Sequence, residues 1–294
     1  MPAFLEDLLD VAIEPLAVVA RQVFRRDDDD RNRAPALVAA ELGDEFSLER
    51  ALKDGMLPLA LASANPEKVL DAYSALYVRE EVQAEGLVRN ISSFSRFLES
   101  ISFSHGSVLN VSNVARECAV SRKTVESYVE IMEDLLLSFR VSVFTKRAQR
   151  GLVAHPKFFY FDTGVFRTLR PRGPLDSPAG IDGAALEGLI AQHLRAWSSY
   201  SSDPHELFYW RTRWGLEVDF VLYGPSGLWA IEVKTGSTPR PEDLRGLQEF
   251  QADYPEARCA LLYRGKDRLK IGAVLCIPCD EFLRGLLPNQ PPIH

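Results

Sequence analysis

A chain of 294 residues, 46% hydrophobic and 26% charged, has the length of about two domains and the composition of an ordinary globular protein. Its net charge of −7 gives no overall attraction to nucleic acid, so any such contact must come from a local basic patch. No apolar run approaches the ~20 residues of a membrane span, and the early Glu6, Asp7 and Asp10 are not the pattern of a secretory signal, so the cytoplasm is the expected compartment.

Residues 4–26 read as helix, interrupted at Glu14-Pro15 because proline removes a helical hydrogen bond. Asp27 to Asp30 read as a solvated linker rather than a metal site. Residues 35–62 look helical, with Gly55 and Pro58 as punctuation. Asn65-Pro66 opens the next helix with an N-cap and a proline at the first position. That helix lines up Val69, Tyr73, Leu76 and Tyr77, then Val82, with acidic Glu80, Glu81 and Glu85 beside them.

Between 91 and 160 the pattern is a winged helix. Phe94, Phe97, Leu98 and Ile101 form one apolar stripe. Asn110 caps a short helix carrying Val114, Ala115 and Cys118. Ala119-Val120-Ser121 turns into a second helix that buries Val125, Tyr128, Met132 and Leu135. Phe139, Val141 and Val143 alternate as a strand, and Lys157 to Phe161 return as another. In such a unit the second helix enters the major groove by its N-terminal residues, here Arg122, Lys123 and Thr124. Lys146, Arg147 and Arg150 on the wing are expected phosphate contacts, with Lys157 at the strand start. Glu126, Glu130, Glu133 and Asp134 make the later turns acidic, and winged helices also dock proteins, so both partners stay open.

Phe161-Asp-Thr-Gly164 carries the triplet of aspartic proteases, but the second copy that a carboxylate dyad needs is missing. Asp162 is expected to cap the following helix instead. Pro171 to Ala179 reads as a surface loop. From Gly183 a helix sets Leu186, Ile190, Leu194 and Trp197 on one face, with Glu187 beside them. Residues 217–234 read as two strands joined at Gly224-Pro225-Ser226-Gly227. Alternation puts Val218, Phe220, Leu222, Trp229, Ile231 and Val233 on one face, and Glu217, Asp219, Val221, Ala230, Glu232 and Lys234 on the other. Centring the turn between Pro225 and Ser226 sets Asp219 opposite Glu232, and two such close carboxylates suit Mg²⁺ or another cation. The plainer reading is a solvated sheet face with Lys234 paired to Glu217. A helix at 241–252 and strands at 260–263 and 273–277 follow, then a helix from Asp280.

Asp219…Glu232-Val-Lys234 resembles the core motif of the PD-(D/E)XK nuclease superfamily. With Tyr209-Trp-Arg211, Glu217-Val-Asp-Phe220 and Gly183-Ala-Ala-Leu-Glu187 added, the chain from about Phe46 to Leu287 resembles the DUF4143 family, the C-terminal region of many prokaryotic AAA-type ATPases. The resemblance implies metal ligands at Glu187, Asp219 and Glu232, catalytic roles for Asp219, Glu232 and Lys234, and Mg²⁺-assisted phosphodiester hydrolysis. No Gly-x-x-x-x-Gly-Lys-Ser/Thr occurs, so no ATP site is expected, and the chain reads as either a truncated ATPase or a relative without the motor. Cys276 and Cys279, at C-x-x-C spacing without a second pair, are expected to be inert thiols, and the five histidines show no ligand spacing.

The expected fold is α/β with an all-α N-terminal part: residues 1–90 helical and similar to the tail of an ATPase module, 91–170 a winged helix, and 180–287 a restriction-endonuclease-like sandwich. The expected function is a DNA-associated, Mg²⁺-dependent nuclease-like protein. The alternative is a catalytically inactive module that binds DNA or a protein partner. No membrane contact is expected.

Overall fold

The computed structural model describes residues 36–74, 88, 90–174 and 176–293. The expected helix at 4–26, the acidic run 27–30, and Leu76, Tyr77, Glu80, Glu81, Val82 and Glu85 lie outside the described residues. The chain is α/β, with a helical N-terminal part followed by a mixed nine-stranded sheet. Its described residues form two compact units.

The first unit takes in the described residues up to His105, then Asn110–Phe139 and Tyr160–Asp176. Its helices are α1 (Ala39–Leu42), α2 (Leu48–Asp54), α3 (Pro58–Ala62), α4 (Pro66–Ala72), α5 (Ile91–Ser102), α6 (Val111–Cys118), α7 (Arg122–Asp134) and α8 (Thr163–Leu169). The helical stretch expected over 35–62, with Gly55 and Pro58 as punctuation, forms three α-helical pieces. Gly55 at φ 76° stops α2, and Pro58 restarts the chain as the first residue of α3. Asn65, Asn90, Asn110, Ser121 and Asp162 each accept a hydrogen bond from the backbone two or three residues into the helix they cap. Phe94, Phe97, Leu98 and Ile101 of α5 are buried, and Tyr128 of α7 meets Phe94 and Phe97 edge-on. Ala119, at φ 53°, is the left-handed residue that ends α6 and lets Ser121 cap α7.

The second unit takes in Gly106–Leu109, Arg140–Phe159 and the described residues from Ser177 onward. The sheet is built of β1 (Ser107–Val108), β2 (Ser138–Val143), β3 (Lys157–Tyr160), β4 (Glu206–Arg211), β5 (Glu217–Gly224), β6 (Gly227–Val233), β7 (Arg258–Tyr263), β8 (Leu269–Ile271) and β9 (Val274–Pro278). Their order is β1-β3-β2-β4-β5-β6-β7-β9-β8. The pairs β2–β4, β6–β7 and β7–β9 are parallel, whereas β4–β5 and β5–β6 are antiparallel. The helices of this unit are α9 (Pro178–Tyr200), α10 (Arg245–Asp253) and α11 (Cys279–Gly285). Helix α9 starts at Pro178, ahead of the expected Gly183, because Ser177 caps it and Pro178 fits its first position.

These units divide the chain differently from boundaries at 90, 170 and 180. Because β2 runs parallel to β4 and bonds to it, most of the hairpin read as a wing lies within the sheet of the second unit.

The ladder pairs Phe220 with Ile231 and Gly224 with Gly227, the register that the turn residues imply. Strict alternation fails one strand earlier. Phe208 faces Val221 and Trp210 faces Val218, so Tyr209 alone stands opposite Asp219 and Phe220. This bulge turns Val218 and Val221 into one core cluster with Ala230, Leu247 and Phe250. Val218 to Leu222 are all buried, so both faces of the hairpin are covered and neither is a solvated face. His205 lies between Trp197 of α9 and Trp229, tilted to the first ring and edge-on to the second, which places α9 over the Trp229 face, while α10 covers the Ala230 face. Helix α10 lies so close to β5 that a Cβ on Gly246 would stand 2.0 Å from the Glu217 carbonyl oxygen.

Candidate functional site

Glu187 projects from the middle of α9, a helix anchored by the buried Leu186, Ile190 and Leu194. Close by is Gly106, at φ +71°, where a Cβ would stand 3.5 Å from Glu187 Oε2. Asp219 sits in the β5 bulge and Glu217 at the start of that strand. Glu232 and Lys234 lie at the far end of β6 and just beyond it.

Lys157, the first residue of β3, joins these elements. It is only 2% exposed, and its Nζ lies 2.8 Å from Glu187 Oε1, 2.5 Å from Glu217 Oε1 and 3.4 Å from Asp219 Oδ1. The ammonium also lies 5.4 Å from the centre of the Tyr209 ring. A hydrogen bond to the His155 carbonyl fixes that ring through its hydroxyl. Burial alone would drive the proton off Lys157. The charges of Glu187, Asp219 and Glu217 outweigh it, and the group titrates well above an ordinary lysine. Glu187 is itself pushed up to about 8, first by burial and then by Asp219 and Glu217, against the pull of Lys157.

The rest of the motif is arranged separately. Asp219 Oδ2 accepts a hydrogen bond from the Val233 backbone N–H at 2.9 Å, which ties the bulge to the next strand. Glu232 Oε1 lies 2.5 Å from Lys234 Nζ, while its buried Oε2 has no hydrogen-bond partner. Burial and the nearby Asp219 raise Glu232 well above the carboxylate range, although Lys234 and Lys157 oppose this. The cross-strand pair between Lys234 and Glu217 is not formed. Lys234 turns to Glu232, and Glu217 takes Lys157 together with Arg211 at 3.3 Å.

Of the three carboxylates expected to hold Mg²⁺, Glu187 and Asp219 face the ammonium of Lys157, and Glu232 faces that of Lys234. Among the described residues, no group of three or more His, Cys, Asp or Glu side chains is placed to hold a metal ion. Lys157 was readable only as a strand-start cation. The signal that marked it was a lysine opening the otherwise apolar run Phe158 to Phe161.

The basic residues expected on DNA fall into two groups. Arg122 and Lys123 are exposed in the first turn of α7, in the first unit. Lys146, Arg147 and Arg150 belong to the second unit. Lys146 pairs with Glu206 at 3.0 Å and lies 4.3 Å from the centre of the Tyr223 ring. Arg150 is held by Glu249 at 2.9 Å and Asp253 at 2.7 Å, so its charge is already answered within the fold. Arg147 is exposed, at φ 53°. All four cysteines are free and buried. Burial pushes the Cys259 thiol up to about 11 and that of Cys279 to about 12, which leaves them as packing groups.

Residues 182–282 match the family model "Domain of unknown function (DUF4143)", and residues 45–176 match "Domain of unknown function (DUF8612)". The chain is 23% identical over 255 residues to two mycobacterial proteins, "Uncharacterized protein Mb2031c" of Mycobacterium bovis and "Uncharacterized protein Rv2008c" of Mycobacterium tuberculosis. That match covers 84% of this chain and 56% of each relative, so the chain spans about half the length of the curated proteins it matches. No solved structure matches it. No helix among the described residues is long and apolar enough to cross a membrane.

Proposed function

We propose that this chain, whose residues 182–282 match the DUF4143 family model, is a nucleic-acid-associated module whose nuclease-like site binds no metal and does not cut. One observation carries this reading. The buried Lys157 ammonium meets Glu187, Glu217 and Asp219 and supplies internally the positive charge that a hydrolytic site would take from a metal. Binding without turnover is left to surface cations. Arg122 and Lys123 head α7, the second helix of a helix-turn-helix arrangement, and have no acidic partner among the described residues. In this reading α6 and α7 serve as the DNA-facing part of a winged helix, and the sheet with α9 is a PD-(D/E)XK-like scaffold.

The hydrolytic reading keeps one observation on its side, the buried Glu232 Oε2 that lacks a partner. A single experiment separates the two. Supercoiled, linear and single-stranded DNA are incubated with the full chain and Mg²⁺ or Mn²⁺, and duplex binding is followed in parallel against salt. The expected result is salt-sensitive duplex binding, weakened in the Arg122→Ala/Lys123→Ala variant, with no nicking. Metal-dependent nicking that disappears in Asp219→Ala establishes hydrolysis instead. Absence of both binding and nicking points to a protein-docking role.

A further inference from the structure

The turn between β4 and β5 carries an aromatic ring that the fold itself does not use. Trp214 is 91% exposed. The chain has four tryptophans, and Trp197, Trp210 and Trp229 are 4%, 1% and 1% exposed, so Trp214 alone stands in water. It is not on a loose loop. Thr212 is buried, its N–H donates to the Leu216 carbonyl at 2.9 Å, and Gly215 takes the φ of 89° that closes the turn. A second segment braces the turn. Leu152 bridges to Thr212, the Arg213 N–H donates to the Gly151 carbonyl at 3.0 Å, and the Val153 N–H donates to the Arg211 carbonyl at 3.1 Å.

Arginines precede the ring along the chain, at 211 and 213. Arg213 is exposed beside it and has no carboxylate partner among the described residues. Arg147, four residues ahead of the bracing Gly151, is also exposed and has no acidic partner among the described residues. The Arg211 side chain is 40% exposed and pairs with Glu217 at 3.3 Å. A protein-docking patch needs several apolar anchors over a broad area. Among the described residues the other large exposed apolar side chains are Phe103, Tyr223, Leu269, Ile271 and Leu287, and none lies on this turn or its brace. A lone ring on a braced turn, preceded along the chain by exposed arginines, suits a flexible polyanion with planar rings of its own, since bases stack on aromatic faces whatever their sequence and arginines meet the phosphates.

We propose that Trp214, with Arg213 and Arg147, is a stacking platform for single-stranded nucleic acid on the second unit. The inference deepens the non-cutting, nucleic-acid-associated reading and rests on it. The full chain is titrated with an oligothymidylate of about 16 nucleotides while tryptophan emission is followed. Emission is expected to be quenched, with an affinity that falls as salt rises. Trp214→Phe serves as the emission blank and retains most of the affinity. Trp214→Ala weakens binding by about 5- to 150-fold, the range for losing one base–aromatic stack. Because the ring touches so little of the fold, this variant melts like the parent. Arg147→Ala/Arg213→Ala flattens the dependence of log affinity on log salt by about 1.4, or ~0.7 per single-strand phosphate contact. Unchanged emission and unchanged affinity in Trp214→Ala, with duplex still bound through α7, overturn the platform and leave the broader reading standing. Emission that responds to anionic phospholipid vesicles but not to oligothymidylate overturns it in favour of a lipid surface. Loss of all nucleic-acid binding in the parent chain removes both readings.

Discussion

An ammonium 2% exposed survives in a protein interior only if carboxylates are brought to it, and Lys157 has three. The attraction is mutual. Glu187 lies within a helix face otherwise used for packing, and Asp219 lies in a bulge between two buried strands. Without the cation these acids would repel one another in a medium that screens them poorly. Lys157→Met fills the space and removes the charge, and the loss is expected to be about 3–5 kcal/mol, read from urea unfolding at neutral pH. Adding Glu187→Gln and Asp219→Asn to Lys157→Met should restore a large part of that loss, because it removes the uncompensated charges rather than the packing. A Lys157→Met chain as stable as the parent would mean that the cluster is not what holds β3 against α9 and β5.

At the scale of the element, caps and junctions organise the first unit. Asp162 ends β3's extension and starts α8. Its Oδ2 accepts from the Met56 N–H at 2.6 Å and its Oδ1 from the Val165 N–H at 3.0 Å. Complete burial nevertheless raises this carboxyl from 3.8 to about 6, with the backbone N–H groups of Met56, Val165 and Gly164 pulling the other way. The folded protein therefore holds this proton more tightly than the unfolded chain does. The stability it contributes is fully present below about pH 4 and is lost as pH rises through about 6. Asp162→Asn points an amide NH₂ at backbone N–H donors that the carboxylate accepts from. It is expected to cost about 1–3 kcal/mol, with the gap to the parent narrowing as pH rises across that window in melts at a series of pH values. A gap that widens instead would show that the buried carboxyl titrates in the opposite sense. Elements of this kind were legible in the sequence. An Asx or Ser residue ahead of an apolar stripe is a local signal, and the turn residues at 224–227 fixed the hairpin register for the same reason. The bulge at Asp219 was not legible, because it depends on how β4 aligns with β5, a contact that no local period encodes. Lys157 was hidden by a related effect. A strand buried on both faces loses its alternation, so a buried lysine at its start looks like an exposed one.

On the scale of the whole molecule, order along the chain and order in space diverge. The chain passes between its two units after His105, Leu109, Phe139, Phe159 and Asp176. Divisions at 90, 170 and 180 assume one pass, whereas the sheet takes β1, β2 and β3 from one side of those divisions and β4 to β9 from the other. The span 182–282 matched by the DUF4143 model contains Glu187, Glu217, Asp219, Glu232 and Lys234, but neither Lys157 nor the three strands β1, β3 and β2. A fragment of residues 177–294 would therefore carry the acidic residues without their internal cation, and would expose the β4 edge that β2 covers at Phe208 and Tyr209. An uncovered edge invites pairing with another chain, and unneutralised buried acids weaken the fold that holds them. At pH 7 the fragment is expected to lack the cooperative urea transition of the full chain and to run as aggregates in gel filtration. A monomeric fragment with its own cooperative transition would show that β1–β3 and Lys157 are dispensable, and the reading of Lys157 as the built-in counter-ion of this site would go with them.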